Sequence, residues 1–271
     1  MAIIAEESMP ITSHPCFTTP AIGQRLWRFM DFPRFFYLMT KCQIFFPSLA
    51  LLGNDPWEGL LPRPNLDPNR MVSVEFRSGT DGSLQDVRTM SQADVRGGHL
   101  RFASYVAGRV QVMEKWKKKI YVSCWHMNDA ESEALWRIYG GQGFGVSVKT
   151  TYERLGSALG STYRIVGGMV KYLDEATELV DERTSLDCCF WKRRSFAHEA
   201  EFRAVISLAN ADPDAGAPGL VVPVNLGQLI EEIIVAPTAE DWFVSLVVDF
   251  VGSCGYSGKV GRSTLLDRPS Y

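Results

Sequence analysis

The chain has no run of about 18 uncharged apolar residues, so no segment reads as a membrane-spanning helix. It also lacks a basic start followed by an apolar core, and Met1 to Pro20 is therefore expected to be a loose lead-in rather than a signal peptide. Six cysteines and four histidines include neither a Cys-x-x-Cys pair nor a His-x-x-x-His pair. With that spacing a zinc site is not expected, and reduced thiols in a cytoplasmic protein fit best. Cys188 and Cys189 are adjacent, a poor spacing for an ordinary structural bridge. No phosphate loop, no Gly-x-Ser-x-Gly nucleophile elbow and no kinase motif set is present. Gly141-Gln142-Gly143-Phe144-Gly145 follows a helix and precedes a strand, the reverse of the order a dinucleotide fingerprint requires. A net charge of −3 and a pI near 5.9 exclude an overall basic footprint for nucleic acid.

What the chain does have is bulk and an even spread of it. With 46% hydrophobic residues, seven Trp and fifteen Phe, it can bury a large core without staples. The one basic run, Lys115-Trp116-Lys117-Lys118-Lys119, reads as a solvated helix end facing the negative pole of the helix dipole. Strand patterns fall at Arg25 to Met30, Gln43 to Ser48, Ile120 to Trp125, Phe144 to Thr150, Tyr163 to Tyr172, Glu201 to Leu208, Leu220 to Val224, Glu232 to Val235 and Lys259 to Thr264. Helical patterns fall at Arg34 to Lys41, Glu131 to Tyr139, Thr151 to Leu159, Asp181 to Ala197 and Glu240 to Gly252. Residues from about 70 to 117 read as mainly helical, broken at Gly79-Thr80-Asp81-Gly82 and Gly97-Gly98. Leu49 to Asn69, rich in Pro, Asn, Asp and Gly, reads as a long ordered loop. The pattern predicts one α+β domain over residues 21–271, with a mixed, largely antiparallel central sheet and flanking helices.

Three pieces could carry chemistry. The first is Leu26-Trp27-Arg28-Phe29, a cation set among aromatics on a strand. The second is Phe45-Phe46-Pro47-Ser48 with the following Asn54-Asp55-Pro56-Trp57-Glu58. The third is Lys192 to Arg203, in which Glu199, Glu201 and Arg203 share one face if the segment is extended. Two carboxylates and a guanidinium on one face are costly to bury unpaired, so they meet each other, solvent or a polar cleft. Cys124 with His126 or His198 is a further nucleophile–base candidate. The Leu135-Trp136-Tyr139 stripe reads as core.

Taken in order, LWRF, NDPWE, SCW, LWRIY, GFGVSV and E-x-E-F-R resemble an uncharacterised, mostly bacterial domain family, from about Leu26 to Val235. That family is written L-Y-R-Y, N-D-P-F-E, S-C-[FW]-S, L-W-x-x-Y and E-x-E-x-R; His126 departs from it where Ser is common. It brings no activity with it. A weaker resemblance, to ADP-ribosyltransferase-like domains, rests on Arg28, Ser48 and Glu201, with Glu199 as the first carboxylate of a Glu-x-Glu. This resemblance implies a split sheet and an enzyme that cleaves NAD and passes ADP-ribose to a protein or nucleic-acid acceptor. In other members of that group such activity serves toxins, effectors or antiphage factors. It implies that Arg28 anchors NAD, that Ser48 orients the nicotinamide ribose, and that Phe46 or Trp57 stacks on nicotinamide. It also implies that Glu201 stabilises the positive charge of the breaking glycosidic bond and that Glu199 acts on the acceptor as general base. No metal is expected on this reading. Two rivals stand beside it. One is a metal-dependent nuclease or hydrolase using Asp55, Glu58, Glu199 and Glu201, although no Lys follows a strand carboxylate by two residues. The other is a non-enzymatic binding module.

Overall fold

A computed structural model of the chain describes residues 11–53, 55–67, 69–77, 84–91, 102–140, 143–208 and 217–269. The first strand of the main sheet, β1 (Ile11–Ser13), lies inside the segment expected to be a loose lead-in. Next comes β2 (Arg25–Asp31), which runs straight into helix α1 (Phe32–Lys41). That junction is written locally. The Asp31 carboxylate accepts from the Arg34 amide at 2.9 Å, Pro33 stands in the first turn where its missing N–H costs nothing, and Cys42 at φ 51 ends the helix. β3 (Gln43–Pro47) then leads into the long loop, which contains short 3₁₀ turns at Leu49–Leu51 and Arg63–Leu66.

Among the described residues, 70–117 are not mainly helical. β4 (Met71–Arg77) and β5 (Leu84–Ser91) form an antiparallel pair, and α2 (Phe102–Lys117) is helix. Val72, Val74 and Phe76 alternate with polar residues, a period of two that the polar content of the region obscures. The expected breaks at Gly79-Thr80-Asp81-Gly82 and Gly97-Gly98 lie outside the described residues.

Next come β6 (Ile120–Met127), α3 (Glu133–Tyr139), β7 (Gly145–Thr151) and α4 (Tyr152–Ala158) in the expected order, and the strand expected over Tyr163 to Tyr172 is divided into β8 (Ile165–Met169) and β9 (Lys171–Leu173). Then come β10 (Trp191–Arg193), β11 (Glu201–Ser207), β12 (Gly219–Pro223), α5 (Leu226–Leu229), β13 (Glu232–Val235), α6 (Asp241–Ser253) and β14 (Lys259–Arg262). Residues 181–197 were expected to be helical and are instead a 3₁₀ turn at Asp187–Cys189, the strand β10 and a second 3₁₀ turn at Arg194–Glu199. Tertiary contacts override local propensity there. The Trp191 indole donates to the Leu60 carbonyl at 2.7 Å, and Lys192 and Arg193 are drawn into ion pairs with side chains from elsewhere.

The fold is α+β: an eight-stranded sheet in the order β1-β8-β11-β6-β2-β7-β13-β14 with helices packed around it. Its inner pairings are antiparallel and its two edges, β1 on β8 and β14 on β13, are parallel. The central strands are buried on both faces, as the unbroken burial of Glu201 to Ile206 on β11 shows. Apolar side chains fill one side with Leu26, Phe35, Phe46, Trp125, Phe202 and Val247. A smaller cluster on the other side joins Leu49, Ile120, Val122, Cys189, Phe190 and Val205.

One irregularity prepares the site. β2 pairs with β7 along its whole length, from Arg25 to Asp31, but with β6 only at Leu26↔Met127 and Trp27↔His126. Beyond that point β2 and β6 part, and the far end of β6 is met by β3 through a bridge between Ser48 and Tyr121. The central sheet is therefore split between β2 and β6.

Candidate functional site

β6 is the spine of the candidate site. In antiparallel register Glu201 faces His126 and Arg203 faces Cys124, whereas Phe202 and Ala204 face Trp125 and Ser123. Directly opposed residues share a face, so the carboxylate and guanidinium of β11 lie with Cys124 and His126, and Ser123 and Trp125 point the other way.

On the first face the structure builds a buried ion network. Arg203, at 0% exposure, donates to Glu58 Oε1 at 2.7 Å, to Glu58 Oε2 at 3.1 Å, to Glu201 Oε2 at 2.7 Å and to the Cys189 carbonyl at 2.7 Å. Lys192 Nζ donates to Glu201 Oε1 at 2.9 Å and to Glu199, and stands 3.9 Å from Glu58. Beside it Arg193 pairs with the buried Asp55 at 2.8 Å. Glu199 does not lie on the strand, as an extended segment would require; it ends the 3₁₀ turn. Ala200, a non-glycine residue at φ 39, turns the chain into β11 and keeps both carboxylates on Lys192. The Glu199 carbonyl accepts from His126 Nδ1 at 2.6 Å, which fixes the turn against the end of β6. Tyr172 accepts the Glu201 amide at 2.8 Å.

The charges do not cancel. Glu58, Glu199 and Glu201 face Lys192 and Arg203, so one carboxylate is in excess. Burial would raise Glu201, but Arg203, the neighbouring Glu199 and Lys192 outweigh it and hold its carboxyl well below the usual range. Glu199 takes the surplus. Burial and the adjacent Glu201 push it up to about 7, against the opposing pull of Lys192. Burial alone would lower Lys192; Glu201 and Glu199 reverse that and raise it. Burial, followed by the charge of Glu199, lifts the half-buried Tyr139 hydroxyl to about 12. Cys124 is driven up by burial and then by Glu201, which makes it a thiol rather than a thiolate. His126 is lowered by burial, and its Nε2 has no partner among the described residues.

Arg28 occupies the split. Its guanidinium donates to Ser123 Oγ at 2.6 Å and to the Phe45 carbonyl at 3.4 Å, and lies 5.3 Å from the centre of the Trp125 ring. Burial pulls it down to about 10, with Cys124 opposing and Arg34 assisting, so it stays charged at neutral pH. Among the described residues no carboxylate lies within ion-pair distance of it, unlike Arg203.

The structure thus brings Glu199 and Glu201 together and sets Arg28 at the split on the opposite face, that of Ser123 and Trp125. It does not gather the other expected residues. Ser48 bridges Tyr121, five residues along β6 from His126, or about 17 Å at the rise of a strand. Its hydroxyl donates to the Lys117 carbonyl at 2.9 Å and caps the Leu49–Leu51 turn. Phe46 is fully buried in the core and Trp57 stands 5.7 Å from the Arg63 guanidinium. Asp55, Glu58, Glu199 and Glu201, the oxygen ligands of the metal reading, already face Arg193, Arg203 and Lys192. Cys124 and His126 share a face, but the ring nitrogen of His126 is engaged by Glu199 rather than by the thiol. Lys117 of the basic run is not solvated: it is 9% exposed and pairs with Glu114.

Sequence reasoning passed over Lys192 as a ligand of both carboxylates and Tyr139 as a wall of the site. The signal for Lys192 was its place after Trp191, where a cation adjoining a buried aromatic needs an anion; Tyr139 was hidden in an apolar helical stripe. The NDPWE, SCW, LWRIY and E-x-E-F-R motifs nonetheless meet here through Glu58, Cys124, Tyr139, Glu199, Glu201 and Arg203.

No family model and no curated protein matches the chain. Among solved structures, DarT of Thermus sp. 2.9 in complex with NAD+ aligns over 90% of this chain and 98% of that one, at 8% identity and a TM-score of 0.40. At that score the likeness decides nothing about this chain's chemistry.

Proposed function

We propose that the chain is an ADP-ribosyltransferase-like enzyme that breaks the nicotinamide–ribose bond of NAD and passes ADP-ribose to a protein or nucleic-acid acceptor. The observation that carries this reading is a charge pattern: a half-buried guanidinium, Arg28, with no carboxylate partner among the described residues, in a split of the sheet whose opposite face holds a surplus carboxylate. NAD carries an anionic diphosphate and a cationic pyridinium, and so complements both. Arg28 binds the diphosphate by charge-assisted hydrogen bonds, exchanging its neutral partners for phosphate oxygens. Glu201, with both oxygens held by Lys192 and Arg203, fixes the negative field that favours positive charge on the ribose as nicotinamide leaves. Glu199, titrating near neutrality, takes the proton of the acceptor. A role as toxin, effector or defence factor belongs to the same proposal.

The test is nicotinamide release from NAD by the purified protein, with label transfer in a cell lysate. Removing a charge-assisted bond costs about 1.5–3 kcal/mol, so Arg28→Ala should weaken NAD binding by roughly ten- to hundredfold. Glu199→Gln should keep NAD binding and abolish transfer. A protein that neither binds NAD in calorimetry nor releases nicotinamide rules the reading out.

A further inference from the structure

The adjacent thiols of Cys188 and Cys189 lie apart from the carboxylate pair and take no part in the proposed chemistry. Their sulfurs are 4.0 Å apart, close enough for one to donate to the other. They differ in access. Cys189 is wholly buried, and its hydrogen bond to Cys188, together with burial, keeps it a thiol. Cys188 is half-buried and forms part of the wall of a cavity of about 580 Å³, whose apolar side is Leu61, Met113, Trp116 and Ile120. The backbone of Cys189 is tied to the ion network, because its carbonyl accepts from Arg203 Nη1 at 2.7 Å.

We infer that Cys188 and Cys189 form an oxidation site for small hydroperoxides, which the cavity admits to Cys188, and that closing the pair into a disulfide loosens the hold of Cys189 on Arg203. The steps balance. With hydrogen peroxide, Cys188 sulfur attacks one oxygen; the O–O bond breaks, the released hydroxide takes up the thiol's proton as water, and Cys188 is left a sulfenic acid. The Cys189 thiol then attacks the Cys188 sulfur, an S–S bond forms, the S–O bond breaks, and the hydroxide leaves with the Cys189 proton as a second water. Two thiols are oxidised and one peroxide is reduced. Bringing the sulfurs from 4.0 Å to a bond of about 2.05 Å must shift the backbone at Cys189, whose own carbonyl, in the following peptide, is the acceptor of Arg203. A bridge between adjacent residues is strained and hence easily reduced, the property of a reversible modification and not of a structural staple.

The experiment uses the full chain with the exposed Cys42 and Cys254 replaced by serine, treated with hydrogen peroxide, alkylated and digested with trypsin. The peptide of residues 184–192 should lose two hydrogens, resist alkylation and regain two alkylatable thiols after dithiothreitol. The thermal midpoint should fall on oxidation and recover on reduction, and Cys188→Ser should show neither change. If a serine variant does not fold, the unsubstituted protein is titrated with phenylarsine oxide, which should consume this thiol pair with one arsenical. A peptide that is alkylated twice after peroxide, carries sulfinic acid or bridges to another cysteine overturns the site. An intact bridge with an unmoved midpoint overturns its link to Arg203.

Discussion

Replacing Glu199 with glutamine removes a proton-binding group whose affinity for the proton is raised by folding. Its ordinary value is 4.5 and in the folded chain it is about 7, because burial and Glu201 outweigh Lys192. The protonated form is therefore favoured by folding. Stability associated with this group is complete below about pH 4.5, declines as pH rises toward about 7, and changes little above that. At about 1.36 kcal/mol per pH unit the full effect is about 3 kcal/mol; solvent at the rim screens it, and about 1–2 kcal/mol is the working figure. Glutamine imitates the neutral acid, so Glu199→Gln should lack this decline. Urea unfolding of both proteins between about pH 5 and pH 8 measures it, and the difference between them removes groups they share. The variant should gain about 1–2 kcal/mol on the parent over that range. Parallel curves for the two proteins would refute the surplus-carboxylate account of the network.

Lys192→Met removes the cation that holds Glu199 down, so the midpoint of that pH-dependent loss should move above about 7, read from the same unfolding series. Arg203→Met leaves Glu58 and Glu201 buried without their guanidinium and should cost about 3–5 kcal/mol; adding Glu58→Gln should restore part of it, and strictly additive losses would contradict the coupling. Glu201→Gln acts oppositely to Glu199→Gln: the parent's advantage over it, present above the usual carboxylate range, should vanish as acid protonates Glu201. Gly59→Ala tests the backbone that places Glu58. With φ at 71° and a new Cβ 2.7 Å from Leu49 Cδ2, it should cost about 1–2 kcal/mol in denaturant unfolding.

Most elements were legible because their signals are local. Asp31 and Pro33 announce α1, and the alternation of β7 and the apolar run of β6 survive in the structure almost residue for residue. The failures have a common cause. Residues 181–197 contain helix-compatible side chains, yet Lys192 and Arg193 obtain more from Glu201 and Asp55 than a helix could offer, and the sequence distance between those partners hides the competition. The site was half legible for the same reason. Glu201 and Arg203 are two apart on a strand and pair as that spacing suggests, whereas Glu58 lies 145 positions from Arg203. Glu199 was placed on the right face by the wrong route, since a left-handed Ala200 rather than an extended strand brings it there.

Position along β6 explains why Ser48 and Arg28 part company although both precede it in sequence. β6 borrows β2 as a neighbour at His126 and Met127 and β3 at Tyr121, and the residues between have neither. A strand edge inside a sheet leaves backbone groups and side chains in need of partners. Arg28 meets that need at Ser123 and Phe45, spanning the opening with neutral partners. Ser48, buried at the far end, donates to the Lys117 carbonyl instead. On the proposed function NAD engages Arg28 and the carboxylates at the His126 end, and a substitution at Ser48 should alter stability without changing what the site binds. Ser48→Ala loses one buried hydrogen bond and leaves the Lys117 carbonyl unpaired, a cost of about 1–3 kcal/mol. NAD affinity measured on the folded variant should equal the parent's; a weakened affinity would place Ser48 back at the ligand and contradict the geometry of β6.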